Sequence, residues 1–447
     1  MSLAEATQTA APPSTDHPAR APIDGPASPR SITETGLDEG FLMDLMVKTI
    51  YRQSQERVSA IAPAIALPPA IVEKLILAAR ELKLMEPLGQ LGASMAAEMR
   101  YGLTEKGKRW ALEALSQSEW VGPCPVTIEA FRAQCVRQTI RREVLTRPML
   151  ARVFRELTLS PALMEELGPA VNSGASILLY GPPGNGKSSI ANAVCAAYDD
   201  AVYLPHALTL DKQVIALFDP MVHRRLDGEA ALDEGLRRGS DAYDTRFVLC
   251  KRPTVETGGE LTLDMLDLAY NPVSRVYEAP MQLKAVGGIL LIDDFGRQKQ
   301  SPQELVNRLI IPLEGQFDYL SLMTGRKFQV PFDALTVFST NIPPKQLVDE
   351  AALRRLRYKI LVGQPDRETY LKIFLRTAAR FEMEISEAVL GFVLSELYAK
   401  TEGAEFHAFH PRFLIDQTRA ICAFEGVAPE LRPEFLAKAW KNLFTRE

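Results

Sequence analysis

The chain has 447 residues, 47% of them hydrophobic and 24% charged, with a formal net charge of −5. That length exceeds one ordinary core and predicts two or three domains. The composition is that of a soluble globular protein, and the slight acidity excludes a global pull toward nucleic acid or anionic lipid. The five cysteines (Cys124, Cys135, Cys195, Cys250, Cys422) are scattered with no C-x-x-C pair, which argues against a zinc or disulfide framework and predicts a reducing, cytoplasmic setting. No apolar leader or membrane-length run is present, so secretion and a membrane partner are not expected.

In chain order, residues 1–34 are rich in Pro, Ala, Ser and Thr and predict a disordered tail, with order beginning near Gly36. Residues 35–120 predict a small domain of three helices (38–51, 57–65 and 69–83), a two-stranded wing (Leu84–Leu88 and Glu98–Leu103, joined by a loop of small residues at 89–97) and a last helix capped by Thr104. That order resembles a winged helix, and Tyr101-Gly102-Leu103-Thr104-Glu105-Lys106-Gly107 is similar to the Y-x-L-T-x-x-G ending of such domains. Residues 121–125 read as a linker opening a core over 121–365, with helices from 126 to 172. Residues 366–447 alternate charged and apolar faces at helical spacing and predict an all-helical unit.

The most informative run lies in the core. Gly181-Pro182-Pro183-Gly184-Asn185-Gly186-Lys187-Ser188 is G-x-x-x-x-G-K-S without a mismatch. It follows an apolar run, Ile177–Tyr180, and precedes a helix start at Ser189-Ile190-Ala191. Strand, glycine loop and helix form the context in which backbone N–H groups wrap a polyphosphate. The expected ligand is ATP, bound by Gly181 through Ser189. Lys187 would neutralise β/γ-phosphate oxygens and Ser188 would bind Mg²⁺.

Gly287-Gly288-Ile289-Leu290-Leu291-Ile292-Asp293-Asp294 predicts a buried parallel strand tipped by carboxylates. Asp293 is the expected Mg²⁺ ligand, and Asp294 the residue that orients or deprotonates the attacking water. A β-branched strand, Leu335–Thr340, ends at Asn341, whose amide could bond the γ-phosphate or the water.

These motifs in this order resemble the AAA+ ATPases: Walker A at 181–188, Walker B at 289–294, a polar sensor-1 tip at Asn341 and a following helix with Arg354-Arg355. The resemblance covers about residues 145–447. It implies a parallel-sheet α/β P-loop core flanked by helices, an α-helical lid at 366–447 and a homo-oligomeric ring, usually a hexamer. It also implies an arginine donated across the subunit interface, with Arg355 the first choice and Arg354 its neighbour. Arg412, in His410-Pro411-Arg412, is similar to a sensor-2 arginine placed over the ATP.

Two insertions narrow the resemblance. One spans about 207–285 and holds a charged stretch (His223–Arg246), a strand pair (Arg246–Leu249 with a run near Val255) and the segment Tyr270–Arg275. The other, Phe317–Leu322 and Lys327–Val330 around Gly325, reads as a hairpin before sensor 1. Together they resemble the group of MoxR-type chaperones and enhancer-binding activators, whose loops act on a partner macromolecule. The activators' G-A-F-T-G-A loop is absent. Walker B ends in Asp-Asp rather than Asp-Glu, which points to slow hydrolysis or a switch role. The expected function is ATP-driven remodelling of a protein partner. The alternative is a DNA-associated ATPase docking through the winged helix, which the near balance of acidic and basic residues over 35–120 disfavours.

Overall fold

Five short strands form a parallel sheet in the spatial order Tyr358–Leu361, Ile177–Tyr180, Leu335–Thr340, Ile289–Ile292, Thr254–Thr257. They belong to a computed structural model that describes residues 25–90, 98–198, 200–226 and 243–443. Both faces of the sheet are covered, which is why the central strands are apolar runs rather than alternations. On one face Ile177, Leu179, Ile289, Leu291, Leu335 and Val337 pack with Ile190 and Val194 of the helix Lys187–Ala197 and Val171 of the helix Pro161–Asn172. On the other, Leu178, Leu290, Ile292 and Phe338 pack with Leu305 and Leu309 of the helix Pro302–Gly315 and with Leu356. This is an α/β P-loop core with parallel strands between helical layers. The order sets the glycine-loop strand beside the Asn341 strand and that one beside the acid-tipped strand, so their C-terminal ends converge.

The expected pairing of 246–249 with the run near Val255 does not form. Phe247–Lys251 pairs antiparallel with Ala201–Pro205, whereas Thr254–Thr257 becomes the edge of the main sheet. The cause is the link between them. Arg252 is buried, donates to the carbonyls of Gln138 and Gly287, and pairs with Asp200. Pro253 O then accepts from Ile289 N at 2.9 Å, so the chain steps from one sheet to the other without reversing. Gly288 permits that approach, because a Cβ there would lie 2.0 Å from Pro253 O.

The first insertion supplies four strands of a second five-stranded sheet, Ala269–Asn271, Val276–Glu278, Gln213–Ala216 and Ala207–Leu210, and Val126–Thr127 is the fifth. Phe131, Leu208, Ile215 and Tyr277 form its core with Leu320 and Val330 of the second insertion. That second insertion is a hairpin, Phe317–Ser321 against Lys327–Pro331, with Gly325 at φ 84° in the turn. Residues 126–127 are therefore strand rather than helix, and 121–125 are packed: Cys124 is buried and its N–H donates to Ile65 O at 2.8 Å.

The N-terminal unit has helices Glu39–Gln53, Val58–Ile65 and Pro69–Glu81, a hairpin of Met85–Gln90 and Met99–Leu103, and the helix Glu105–Gln117. Thr104 Oγ1 accepts from Gly107 N at 3.1 Å and caps the last helix. Of the expected tail, residues 25–34 lie on the protein: Gly25 sits against Tyr203 and Tyr243, and Pro26 O accepts from Asp244 N at 2.7 Å. The rest of the tail (1–24), the small-residue loop at 91–97, residues 227–242 of the charged stretch and 444–447 lie outside the described residues.

The C-terminal part is helical: Arg367–Arg380, Glu387–Phe392, a π-turn at Val393–Tyr398, His410–Glu425 and Pro433–Lys441. Tyr370, Phe374, Leu414, Leu436 and Trp440 fill its core. Among the described residues no single helix is long and apolar enough to cross a membrane.

Candidate functional site

The glycine loop leaves the end of Ile177–Tyr180 and turns into the helix that starts at Lys187. Gly186 caps that helix at φ 88°, a left-handed conformation that a side chain would oppose. Lys187 is 6% exposed, and its Nζ donates to Gly181 O at 3.0 Å and Pro182 O at 2.9 Å. The ammonium is thus folded onto its own loop. Burial pulls its pKa below the usual lysine value, while Asp293 and Asp294 oppose that shift.

Ser188 Oγ donates to Asp293 Oδ2 at 2.7 Å, bringing Walker A and Walker B into contact. Asp293 N donates to Thr257 O at 2.8 Å, and Asp294 N donates to Asp293 Oδ1 at 3.0 Å. Asp294 itself has φ 46°. The turn is clamped to the next strand by Phe295 N to Ser339 O at 2.7 Å and Thr340 Oγ1 to Phe295 O at 2.6 Å. Gln298 Nε2 donates to Gly258 O at 3.0 Å and to Asp293 O and Asp294 O at 3.3 Å. Sequence reasoning missed Gln298 and Ser339. A glutamine in a polar loop and a serine within a β-branched strand carry no local signal.

Pro183, Gly184, Gly186, Lys187, Ser188, Ser189, Asp294, Ser339 and Asn341 line a cavity of about 200 Å³. Sites that enclose a whole small ligand run to roughly 300–1,000 Å³, so this one suits the phosphate end of a nucleotide. The residues fit a metal-bound polyphosphate. The Ser188–Asp293 pair offers oxygen atoms alone, the donor set Mg²⁺ takes. Within the loop, Asn185 Nδ2 is a buried donor with no protein acceptor among the described residues.

Not every expected residue reaches this cavity. Gly181 and Pro182 act through the carbonyls that hold Lys187, and Asn185 Oδ1 accepts from Ala408 N at 3.2 Å. Arg354 and Arg355 end the short helix Glu350–Arg355, away from the cavity lining. Arg355 is occupied within its own chain: its Nε lies 3.1 Å from Glu314 Oε1, and its guanidinium donates to Ala351 O. Arg354 is exposed and has no ion pair among the described residues. Arg412, with its side chain 74% exposed, pairs with Asp416 at 3.6 Å on its own helix and does not line the cavity. The neighbouring residues 408 and 409 meet the loop instead.

Residues 366–442 match a domain of unknown function (DUF8689). No curated protein matches the chain. Among solved structures, the chain is similar to NtrX from Brucella abortus, at 14% identity and TM-score 0.40 over 66% of this chain and 58% of NtrX. It is also similar to the same protein in complex with ADP, at 14% identity and TM-score 0.39 over 77% of this chain and 68% of that one. A third similarity is to RuvB from Thermotoga maritima, the Holliday junction branch migration motor, at 13% identity and TM-score 0.34 over 63% of this chain and 67% of that one. The chain thus spans less than two thirds of the length of the first of these.

Proposed function

We propose that the protein is an AAA+ ATPase that binds and hydrolyses ATP and uses that cycle to remodel a protein partner, in the manner of MoxR-type chaperones. The observation that carries the reading is the meeting of four motif elements at one cavity: the glycine loop, the Ser188–Asp293 pair, Asp294 and Asn341. Lys187 leaves its loop carbonyls for β/γ-phosphate oxygens, an ion pair replacing two bonds to uncharged acceptors. Ser188 and Asp293 would hold Mg²⁺, which when bound neutralises phosphate charge. Asp294 orients the attacking water, and Asn341, which lines the same cavity, bonds the water or the γ-phosphate. Asp294 is one methylene shorter than the glutamate usual at this place, which favours slow turnover.

The ring belongs to the same proposal. Arg354, exposed and uncommitted, is better placed than Arg355 to reach a neighbouring subunit's phosphates. Arg412 stands near the loop-facing end of its helix and joins the site only if the lid moves.

Protein rather than DNA as partner rests on the N-terminal unit, which we read as a winged helix. The outward face of Pro69–Glu81 carries Glu73, Lys74, Leu77, Arg80 and Glu81, with Leu77 55% exposed. Phosphate contacts need a basic footprint, and this face mixes both signs around an apolar residue.

The test uses Asp294→Asn in the full chain. This variant should bind ATP, stop turnover and retain a partner in a pull-down scored for both protein and DNA. Turnover at the parental rate would remove the water-orienting role of Asp294, and enrichment of duplex DNA without protein would replace the chaperone reading with the DNA-associated one.

A further inference from the structure

The strands Ile289–Ile292 and Leu335–Thr340 run parallel, with Ile292 opposite Phe338. Leu291 and Val337 pack toward the helix Lys187–Ala197, whereas Ile292 and Phe338 pack on the other face of the sheet. Side chains alternate along a strand, so the next residues on the Lys187 side are Asp293 and Ser339. For Asp293 the contact is direct, because its carboxylate accepts from Ser188 Oγ at 2.7 Å. Ser339 lines the phosphate cavity together with Lys187 and Ser188, and it is 2% exposed. Its backbone carbonyl is committed, accepting from Phe295 N at 2.7 Å. The hydroxyl of the next residue, Thr340, bonds Phe295 O at 2.6 Å. The Ser339 hydroxyl makes no hydrogen bond to any described residue.

A buried hydroxyl without a partner is destabilising. On the same face of this strand Leu335 and Val337 are apolar, so packing alone asks for an alkyl side chain at 339. A ligand in the cavity gives the hydroxyl a partner. Neighbouring strands lie about 4.8 Å apart, close enough for one water to bond an oxygen carried on each. Mg²⁺ takes oxygen partners at short range and keeps several waters, which surrounding protein groups orient.

We infer that Ser339 is a third protein oxygen of the Mg²⁺ site. Ser188 and Asp293 hold the ion, and the Ser339 hydroxyl orients water that the ion retains beside them. The inference rests on the ATP-binding reading above. Ser339 is a positioning residue: it acts on the ion's water, not on the reacting phosphate. Its effect therefore belongs to the metal dependence of nucleotide binding, whether or not the nucleotide is cleaved.

The experiment uses the full chain as parent, Ser339→Ala and Ser188→Ala, with a fluorescent ADP analogue that is not turned over. Affinity is measured in EDTA and across a Mg²⁺ titration. In EDTA, Ser339→Ala should bind the analogue as the parent does. The Mg²⁺ concentration giving half of the metal's effect should rise by about tenfold, as loss of a group orienting a metal's surroundings does. Ser188→Ala should lose the Mg²⁺ response. The thermal midpoint of nucleotide-free Ser339→Ala should not fall, because the hydroxyl has no bond within the fold to lose. A parental Mg²⁺ midpoint in Ser339→Ala overturns the inference and leaves the ATP-binding reading standing. An affinity loss of equal size in EDTA and in Mg²⁺ also overturns it, since the hydroxyl then serves the nucleotide and not the ion. A lowered thermal midpoint overturns it in favour of a structural hydroxyl. A parent that binds no nucleotide removes the ATP-binding reading, and the role of Ser339 falls with it.

Discussion

Asp294 occupies a left-handed backbone conformation at φ 46°, a place few non-glycine residues take. Such a conformation costs about 1–3 kcal/mol and persists where surrounding contacts over-determine it. Here Gln298, Ser339 and Thr340 supply them. Asp294 lines the same cavity as Lys187, which fits the role proposed for it. At this scale the sequence was most readable where chemistry is local. Gly181 to Ser188 and Asp293-Asp294 stand out as motifs, because one short segment carries both the conformation and the side chains that the fold brings together. The arginines were less readable, since their role depends on what each meets after folding. Arg355 meets Glu314, so Arg354 is the residue to test. Arg354→Ala should lower hydrolysis by about 10³-fold or more, as loss of an arginine finger does, with ATP affinity nearly unchanged. Mixing it with Lys187→Ala subunits should restore part of the activity through shared sites. Activities that only add would refute a finger acting across subunits.

Among the elements, the apolar strands and the helical C-terminal part were legible from periodicity. The second sheet was not. Val126–Thr127 pairs with Leu208 and Thr209, and nothing in a two-residue strand foretells so distant a partner; the separate pair of Ala201–Pro205 with Phe247–Lys251 was equally hidden. The strand near Val255 was foreseen, and its misassigned partner has the same origin. Arg252 and Pro253 look like a hairpin turn until the buried guanidinium is seen holding the chain between two sheets. The lid carries a pH-dependent element in His410. Burial, with the neighbouring His407 adding to it, pushes its pKa down to about 4, below the ordinary histidine value of about 6.5. The folded lid therefore needs the neutral ring. Its contribution is complete above about pH 6.5 and is lost as pH falls toward about 4. The thermal midpoint of the lid, followed by exchange or near-ultraviolet signal, should fall across that window, and His410→Gln should flatten the fall. An equal slope in parent and variant would show that His410 is not responsible.

At the scale of the whole molecule, the N-terminal unit is seated on the second sheet. Glu119 N donates to Ser274 O at 2.8 Å, Arg275 donates to Ser116 O, and buried Arg246 donates to Thr35 O at 2.9 Å. Lys212 pairs with Asp38 at 3.4 Å. The segment 270–275, expected to reach toward a partner, is thus tied to the N-terminal unit at its tip. A domain used in this way, with mixed charge on its outward helix, should bind duplex DNA weakly. A DNA titration of the full chain should show a shallow dependence on salt. A steep log–log slope, marking several neutralised phosphates, would favour the DNA-associated reading instead.

The central claim is that Lys187 and its loop bind the phosphates of ATP. Calorimetric titration of ATP with Mg²⁺ into the parent and into Lys187→Ala tests it most directly. The account predicts saturable binding to the parent and a loss of at least ~100-fold in affinity, ~2.7 kcal/mol, in the variant. Equal affinity in the two proteins would contradict it.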